Sequence, residues 1–119
     1  MNDPDRIASL YLATWNEADE AQRHALLDGW AEDARYVDPL MQGEGREGIS
    51  AMIAAARSQF PGHGFALTGP VDGHGGNIRF SWALSPDSGE PVARGTDFVR
   101  VNEQGRIAEV VGFLDGGAA

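Results

Sequence analysis

Cysteine is absent from the 119 residues, which excludes disulfides, thiolate metal centres and cysteine nucleophiles. No apolar run approaches the roughly 20 residues of a membrane-spanning helix. Positive charge is scarce: 9 Lys plus Arg stand against 18 Asp plus Glu, a formal net charge of −9. That balance argues against DNA, RNA and anionic membranes as partners, because all three select for basic patches. The acidic residues are spread along the chain, so they make a solvated surface and not an acidic tail. His24, His63 and His74 are far apart and carry no H-E-x-x-H or close carboxylate pattern, so no metal is expected. "GEGREG" (Gly43 to Gly48) lacks the Gly-Lys-Ser/Thr ending of a phosphate loop, so no nucleotide cofactor is expected. The opening "MNDPDRIASL" lacks the basic-then-apolar form of a signal peptide, and the expected location is cytoplasmic.

With 42% hydrophobic residues, the chain suits one domain spanning residues 1–119. Asp3 followed by Pro4 is a helix start: an acidic cap and a fixed φ at the first turn. Ile7, Leu10, Tyr11, Thr14, Trp15 and Ala18 then recur at intervals of three and four, giving one buried stripe. A second helix is expected from about Glu20 to Trp30, with Ala21, Ala25, Leu26 and Trp30 inward. "ARYVDP" reads as a short strand closed by Pro39, and "LMQGEGREG" as a loop. A third helix follows, with Ile49, Met52, Ile53, Ala56 and Phe60 on its apolar stripe, and "PGHG" ends it.

Beyond residue 63 the period changes from 3.6 to 2. "FALTGPV", "NIRFSWALS", "PVARGTDFVRV" and "RIAEVVGFL" are strand candidates, with "DGHGG", "PDSGE" and "NEQG" as the turns between them. Helices first and an antiparallel sheet after them is an α+β pattern, with the helices on one face of the sheet. Gly69, Gly95 and Gly112 sit inside strand patterns, where glycine marks a bend or a close approach. A sheet curled around three helices makes a cone with an internal cavity.

Within "ARGTDFVRV" (Ala93 to Val101), Asp97 shares a face with Ala93, Gly95, Val99 and Val101. Burying a charged carboxylate among such neighbours costs several kcal/mol unless it is paired. Two registers with the preceding strand offer different answers. Pairing Ser85 with Pro91 sets Arg79 across from Asp97 as an ion-pair partner. A slip of one residue sets Phe80 and Trp82 on the face of Asp97 instead, with Gly95 leaving room for a ring.

"YLATWNEAD", "WAEDARYVDP", "GREGISAMI" and "GTDFVRVNEQGRIAEVVGFL" together resemble the nuclear-transport-factor-2-like superfamily, also called cystatin-like, over residues 4 to 115. Within it the SnoaL-like polyketide cyclases and the ketosteroid isomerases are most similar. The resemblance implies a strongly curved, mainly antiparallel sheet. On the ketosteroid-isomerase pattern the general base falls on Asp38, and the hydroxyl donor of the oxyanion hole on Tyr11. The second donor, a carboxylic acid kept neutral by an apolar surround, falls on Asp97. The tyrosines that support the donor in one branch are replaced here by Trp30 and Ile53. Trp15, Trp30, Met52, Ile53, Phe60, Phe65, Val99 and Leu114 are the candidates to line the cavity and hold substrate.

The implied activity is proton transfer next to a carbonyl on a small apolar compound, without a cofactor or metal. The implied assembly is a homodimer through the outer face of the sheet. The alternatives are a non-catalytic ligand-binding or dimerisation domain, with the aspartates serving structure, and an epoxide hydrolase using Arg57 or Arg79 between paired aspartates. His63 is placed at a cavity mouth or in a solvated loop; Arg46, Arg57 and Glu109 read as surface charges.

Overall fold

Asp3 caps the first helix by accepting from the Asp5 amide at 3.0 Å, and Pro4 occupies its first turn. The computed structural model describes residues 3–115. The outermost residues of the expected 1–119 domain, including the first two of the opening segment, lie outside the described residues. Helix α1 (Pro4–Asn16) buries Ile7, Ala8, Tyr11, Leu12, Thr14 and Trp15. Leu10 is half-buried, and Ala18 falls beyond the helix end and is exposed. The Asn16 side chain accepts from the Phe65 amide (2.8 Å) and donates to the Phe65 carbonyl (3.0 Å). It thereby ties the end of α1 to a strand nearly fifty residues away.

Helix α2 (Glu20–Leu26) is shorter than the spacing predicts; a 3-10 turn over Leu27–Gly29 follows, and Trp30 opens a strand. Its inward face also differs. Ala21 and Ala25 are exposed and Leu26 is half-buried, whereas Arg23 and Leu27 are buried. Arg23 tolerates burial because Nε donates to Ser50 Oγ at 3.0 Å and Nη1 to the Glu17 carbonyl at 2.7 Å. Two small alanines in a helix of two turns offer too little apolar surface to set its facing.

Strand β1 (Trp30–Val37) leads through Asp38–Met41 into β2 (Gln42–Glu44), a three-residue strand within the expected loop, and α3 spans Gly45–Gln59. Ile49, Ser50, Met52 and Ile53 are its buried residues, Ala56 is half-buried, and Phe60 lies past the helix end. Then come β3 (His63–Leu67), β4 (Asp72–His74), β5 (Asn77–Pro86), β6 (Ala93–Val101) and β7 (Ile107–Leu114). The expected strand "FALTGPV" stops at Leu67; Pro70, which has no amide hydrogen, sits in the connection to β4.

The strands form one sheet in the order β2-β1-β7-β6-β5-β3, with β4 also on β5. All pairs are antiparallel except β1 with β7. Register shifts in the β1–β7 and β6–β7 ladders bend the sheet around the helices, as bulges do. The result is the α+β cone, with Ile7, Tyr11, Trp30, Ile49, Ile53, Phe80 and Val110 at its packed centre.

The β5–β6 ladder pairs Phe80 with Asp97 and Trp82 with Gly95, the second of the two registers. Arg79 faces away and binds Asp72 at 2.9 Å. A Cβ on Gly95 would lie 2.3 Å from the Trp82 ring and 2.6 Å from the Phe113 carbonyl. The indole therefore occupies the volume that any other residue would need. Gly69, by contrast, lies in the β3–β4 connection with nothing within 4 Å of a built Cβ. Gly95→Ala is expected to cost about 1–3 kcal/mol by overpacking, while Gly69→Ala stays within about 0.5 kcal/mol of the parent. Urea unfolding of the two variants checks this; equal midpoints would contradict the packing described.

Candidate functional site

Three adjacent strands place the acidic groups. Asp97 on β6 pairs with Gly112 on β7, and β7 runs beside β1 with Val37 opposite Val111. Asp38 follows Val37 and meets Gly112 from the other side. A Cβ on Gly112 would lie 2.8 Å from Asp97 Oδ1, 3.2 Å from Asp38 Cβ and 3.5 Å from the Tyr36 hydroxyl. Two carboxyls thus flank a glycine, and the missing side chain is what lets them converge.

Helix α1 closes the arrangement from above. The Tyr11 hydroxyl donates to Asp97 Oδ2 at 2.5 Å, in a fully buried contact. Trp30 stacks on one side of the Tyr11 ring at 5.7 Å, and Phe80 meets it edge-on at 5.2 Å. Trp30 is held in turn by its indole N–H, which donates to Thr14 Oγ1 at 3.2 Å. On the far side Tyr36 donates to Asp38 Oδ2 at 2.6 Å. Asp38 Oδ1 accepts the Leu40 and Met41 amides at 2.8 and 2.9 Å, which closes the turn after β1.

The environments of these groups differ. Loss of hydration drives the Asp97 carboxyl up from 3.8 to about 6; the Tyr11 hydroxyl and the Trp82 indole oppose the rise, while the negative fields of Asp38 and Asp115 add to it. Trp82 Nε1 acts on Asp97 without forming a hydrogen bond, and Asp97 Oδ1 has no partner. Burial raises Tyr11 well above the usual phenol range, assisted by the neighbouring Asp97 charge, and Tyr36 is raised for the same two reasons. Both phenols remain protonated donors at neutral pH.

These side chains border a cavity of about 140 Å³. An apolar cavity of roughly 150 Å³ accommodates benzene, so the space suits a single ring. Trp15, Phe65 and Trp82 form a chain of edge contacts along its wall, and Trp15 also packs on Tyr36. Leu40 (72% exposed) and Phe60 (41%) stand at its rim.

Of the residues singled out in the sequence, Tyr11, Asp38, Asp97, Trp15, Phe60, Phe65 and Leu114 border this cavity. Trp30, Met52, Ile53 and Val99 do not; they are buried in the packed core behind it. His63 borders the cavity, and so does Arg57, which is half-buried and is not a plain surface charge. Arg46 is likewise engaged, donating twice to the Trp30 carbonyl, and Glu109 pairs with Arg100 at 3.4 Å. Tyr36 is a site residue that the sequence reading misses, although its position two residues before Asp38 puts it on the same strand face. Among the described residues no cluster of side chains is arranged to hold a metal ion, and no helix is long and apolar enough to cross a membrane.

The raised Asp97 value has a thermodynamic consequence. The folded chain binds this proton more tightly than the unfolded one, so the contribution of Asp97 to stability is fully present below about pH 4 and is lost as pH rises through 6. The full difference is roughly 3 kcal/mol. Asp97→Asn, which keeps an acceptor for Tyr11, is expected to abolish this component. Urea midpoints of both proteins at pH 4.5 and 7.5 test it. An identical pH dependence in the two would contradict it.

Comparison with known proteins bears on the family and the fold. A protein of the SnoaL-like family from Agrobacterium tumefaciens, a proposed isomerase, superposes with a TM-score of 0.91 at 58% identity, covering 95% of this chain and 97% of that one. A proposed polyketide cyclase from Sinorhizobium meliloti gives 0.70 at 19% identity (90% and 93% covered). A protein from Catenulispora acidiphila with a ketosteroid isomerase-like fold, in complex with trimethylamine, gives 0.72 at 19% (89% and 82%). The latter two speak to the fold alone. A comparison with curated proteins finds no match. The family model for the SnoaL-like domain matches residues 8–110, and the chain belongs to that family.

Proposed function

We propose that this protein is a cofactor-independent isomerase or cyclase that moves a proton next to the carbonyl of a small, largely apolar compound. The observation that carries the reading is the convergence of Tyr11, Asp97 and Asp38 on one cavity, with the Asp97 carboxyl pushed up to about 6. Asp38 would take the α-proton, so the C–H electron pair becomes the enolate double bond and the carbonyl oxygen takes the negative charge. Asp97, when it carries its own proton, no longer claims the Tyr11 hydroxyl, and both O–H groups can then donate to that oxygen. Asp38 returns the proton elsewhere on the conjugated system. The size of the cavity favours a monocyclic substrate over a fused-ring steroid.

One observation favours a second reading, a ligand-binding domain without catalysis. Both Asp38 oxygens are already engaged, by Tyr36 and by the Leu40 and Met41 amides, as in a turn-forming aspartate. An epoxide hydrolase draws no comparable support: Arg79 binds Asp72, and Arg57 binds a backbone carbonyl.

A single-ring β,γ-unsaturated ketone such as cyclohex-3-enone separates the first two readings. The parent is expected to form the conjugated enone, followed by its ultraviolet absorbance. Asp38→Asn should lower kcat/KM about 10²–10⁴-fold, and Tyr11→Phe about 10²–10³-fold. An Asp38→Asn enzyme as active as the parent, or a parent inert towards this and related enones while still binding them, would leave the binding-domain reading.

The proposal includes a homodimer through the outer sheet face. Phe98 and Phe113 lie there 45% and 51% exposed and in edge-to-face contact. Light scattering at micromolar concentration is expected to return twice the mass of the chain, and Phe98→Asp to return the monomer. A monomeric parent would refute the dimer.

A further inference from the structure

The cavity wall is chemically uneven. Tyr11, Asp97 and Tyr36 are almost wholly buried in it, whereas Arg57 and His63 are half-buried and Phe60 and Leu40 are exposed. Arg57 is the one arginine among the described residues that borders the cavity. Arg79 and Arg100 pair with carboxylates, and the buried Arg23 spends two donor groups on Ser50 and Glu17. Arg57 donates only Nη1, to the Trp15 carbonyl at 3.1 Å, and no carboxylate lies within 4.0 Å of it among the described residues. A guanidinium has five N–H groups in a fork suited to a carboxylate. The remainder of this one is unassigned beside an apolar cavity, in a chain with a formal charge of −9.

His63 adds a second donor or acceptor. Its Nδ1 lies 2.9 Å from the Pro61 carbonyl, which only accepts, so Nδ1 carries hydrogen and Nε2 is left for another partner. The ring is held edge-on against Phe60 at 5.6 Å. One further donor points the same way. Trp15 Nε1 is buried without a hydrogen-bond partner on a cavity-lining residue, whereas the Trp82 indole acts on Asp97. Buried polar atoms are rarely left unmatched in a folded protein. The indole and guanidinium groups only donate, so the complement they call for is rich in acceptor oxygens.

We infer that Arg57 is an anion-recognition point, and that the ligand is a single-ring-sized carbonyl compound bearing a carboxylate or similar anionic group at the end opposite its carbonyl. Orientation follows from charge. Asp38 repels the anionic end, Arg57 attracts it, and the carbonyl is thereby directed towards Tyr11 and the protonated Asp97. The placement of the carbonyl rests on the function proposed above; the preference for an anion rests on Arg57 and stands apart from turnover.

Three probes sharing one body test this at equilibrium: 4-acetylbenzoate, 4-acetylbenzamide and 4-acetylphenyltrimethylammonium, titrated by calorimetry. The parent is expected to bind the carboxylate at least tenfold tighter than the amide, and the cation most weakly. Arg57→Gln should weaken the carboxylate about tenfold while leaving the amide within twofold, and Arg57→Lys should restore part of the difference. Asp38→Asn should keep the anion preference even where it abolishes turnover, so the two readings fail separately. Equal affinity for carboxylate and amide, tighter binding of the cation to the aromatic wall, no binding of any probe at millimolar concentration, or equal weakening of all three by Arg57→Gln would each overturn the inference. The last of these would assign Arg57 only to holding the end of α1.

Discussion

The buried contact between the Tyr11 hydroxyl and the Asp97 carboxyl holds the rest of this molecule in its functional shape. It joins the first helix to the centre of the sheet across 86 residues of chain. A carboxyl is an expensive choice for such a contact, because losing hydration penalises its charged form. Tyr11 offsets part of that penalty as a donor, and the remainder appears as the elevated proton affinity of Asp97. Under the function proposed above, a carboxyl of raised proton affinity beside an apolar cavity is the donor that the chemistry requires.

Glycine and aromatic residues share out the space around that contact. Gly95 yields its volume to the Trp82 ring, and Gly112 yields its own to two converging carboxyls. The aromatic residues then act in two roles. Trp30 and Phe80 clamp Tyr11 from within the core, while Trp15, Phe65 and Trp82 leave a hollow that a single ring can fill. Rings packed more evenly would have filled the cone.

Much of this is legible in the sequence because it is periodic. The stripe of α1, the switch to alternation after residue 63 and the inward parity of Asp97 follow from helix and strand geometry alone. The contrast of large Trp82 with small Gly95 favours the register that the structure adopts. The roles considered for Asp38 and Tyr11 come from resemblance, since nothing local marks either residue as more than a turn former and a core phenol. What stays hidden depends on distant partners. The inward facing of Arg23 needs Ser50, and the position of Arg57 beside the cavity is fixed by a carbonyl 42 residues away. The three-residue strands β2 and β4 exist because neighbouring strands offer them an edge. Tyr36 is readable from its spacing to Asp38, but a buried tyrosine is such a common core residue that spacing alone does not single it out.

The family is functionally broad, so membership fixes the scaffold and leaves the chemistry to the site. Here that site reduces to one unusual physical state: a carboxyl stripped of water, bonded to a phenol and facing a second acid. Its proton affinity is the most direct expression of that state. Carboxyl-carbon NMR of the protein, with Asp97 assigned by comparison with Asp97→Asn, reads it without reference to any substrate. The account predicts a titration midpoint near 6. A midpoint at or below the ordinary aspartate value of 3.8 would mean that the carboxyl is well solvated or ion-paired, and would contradict it.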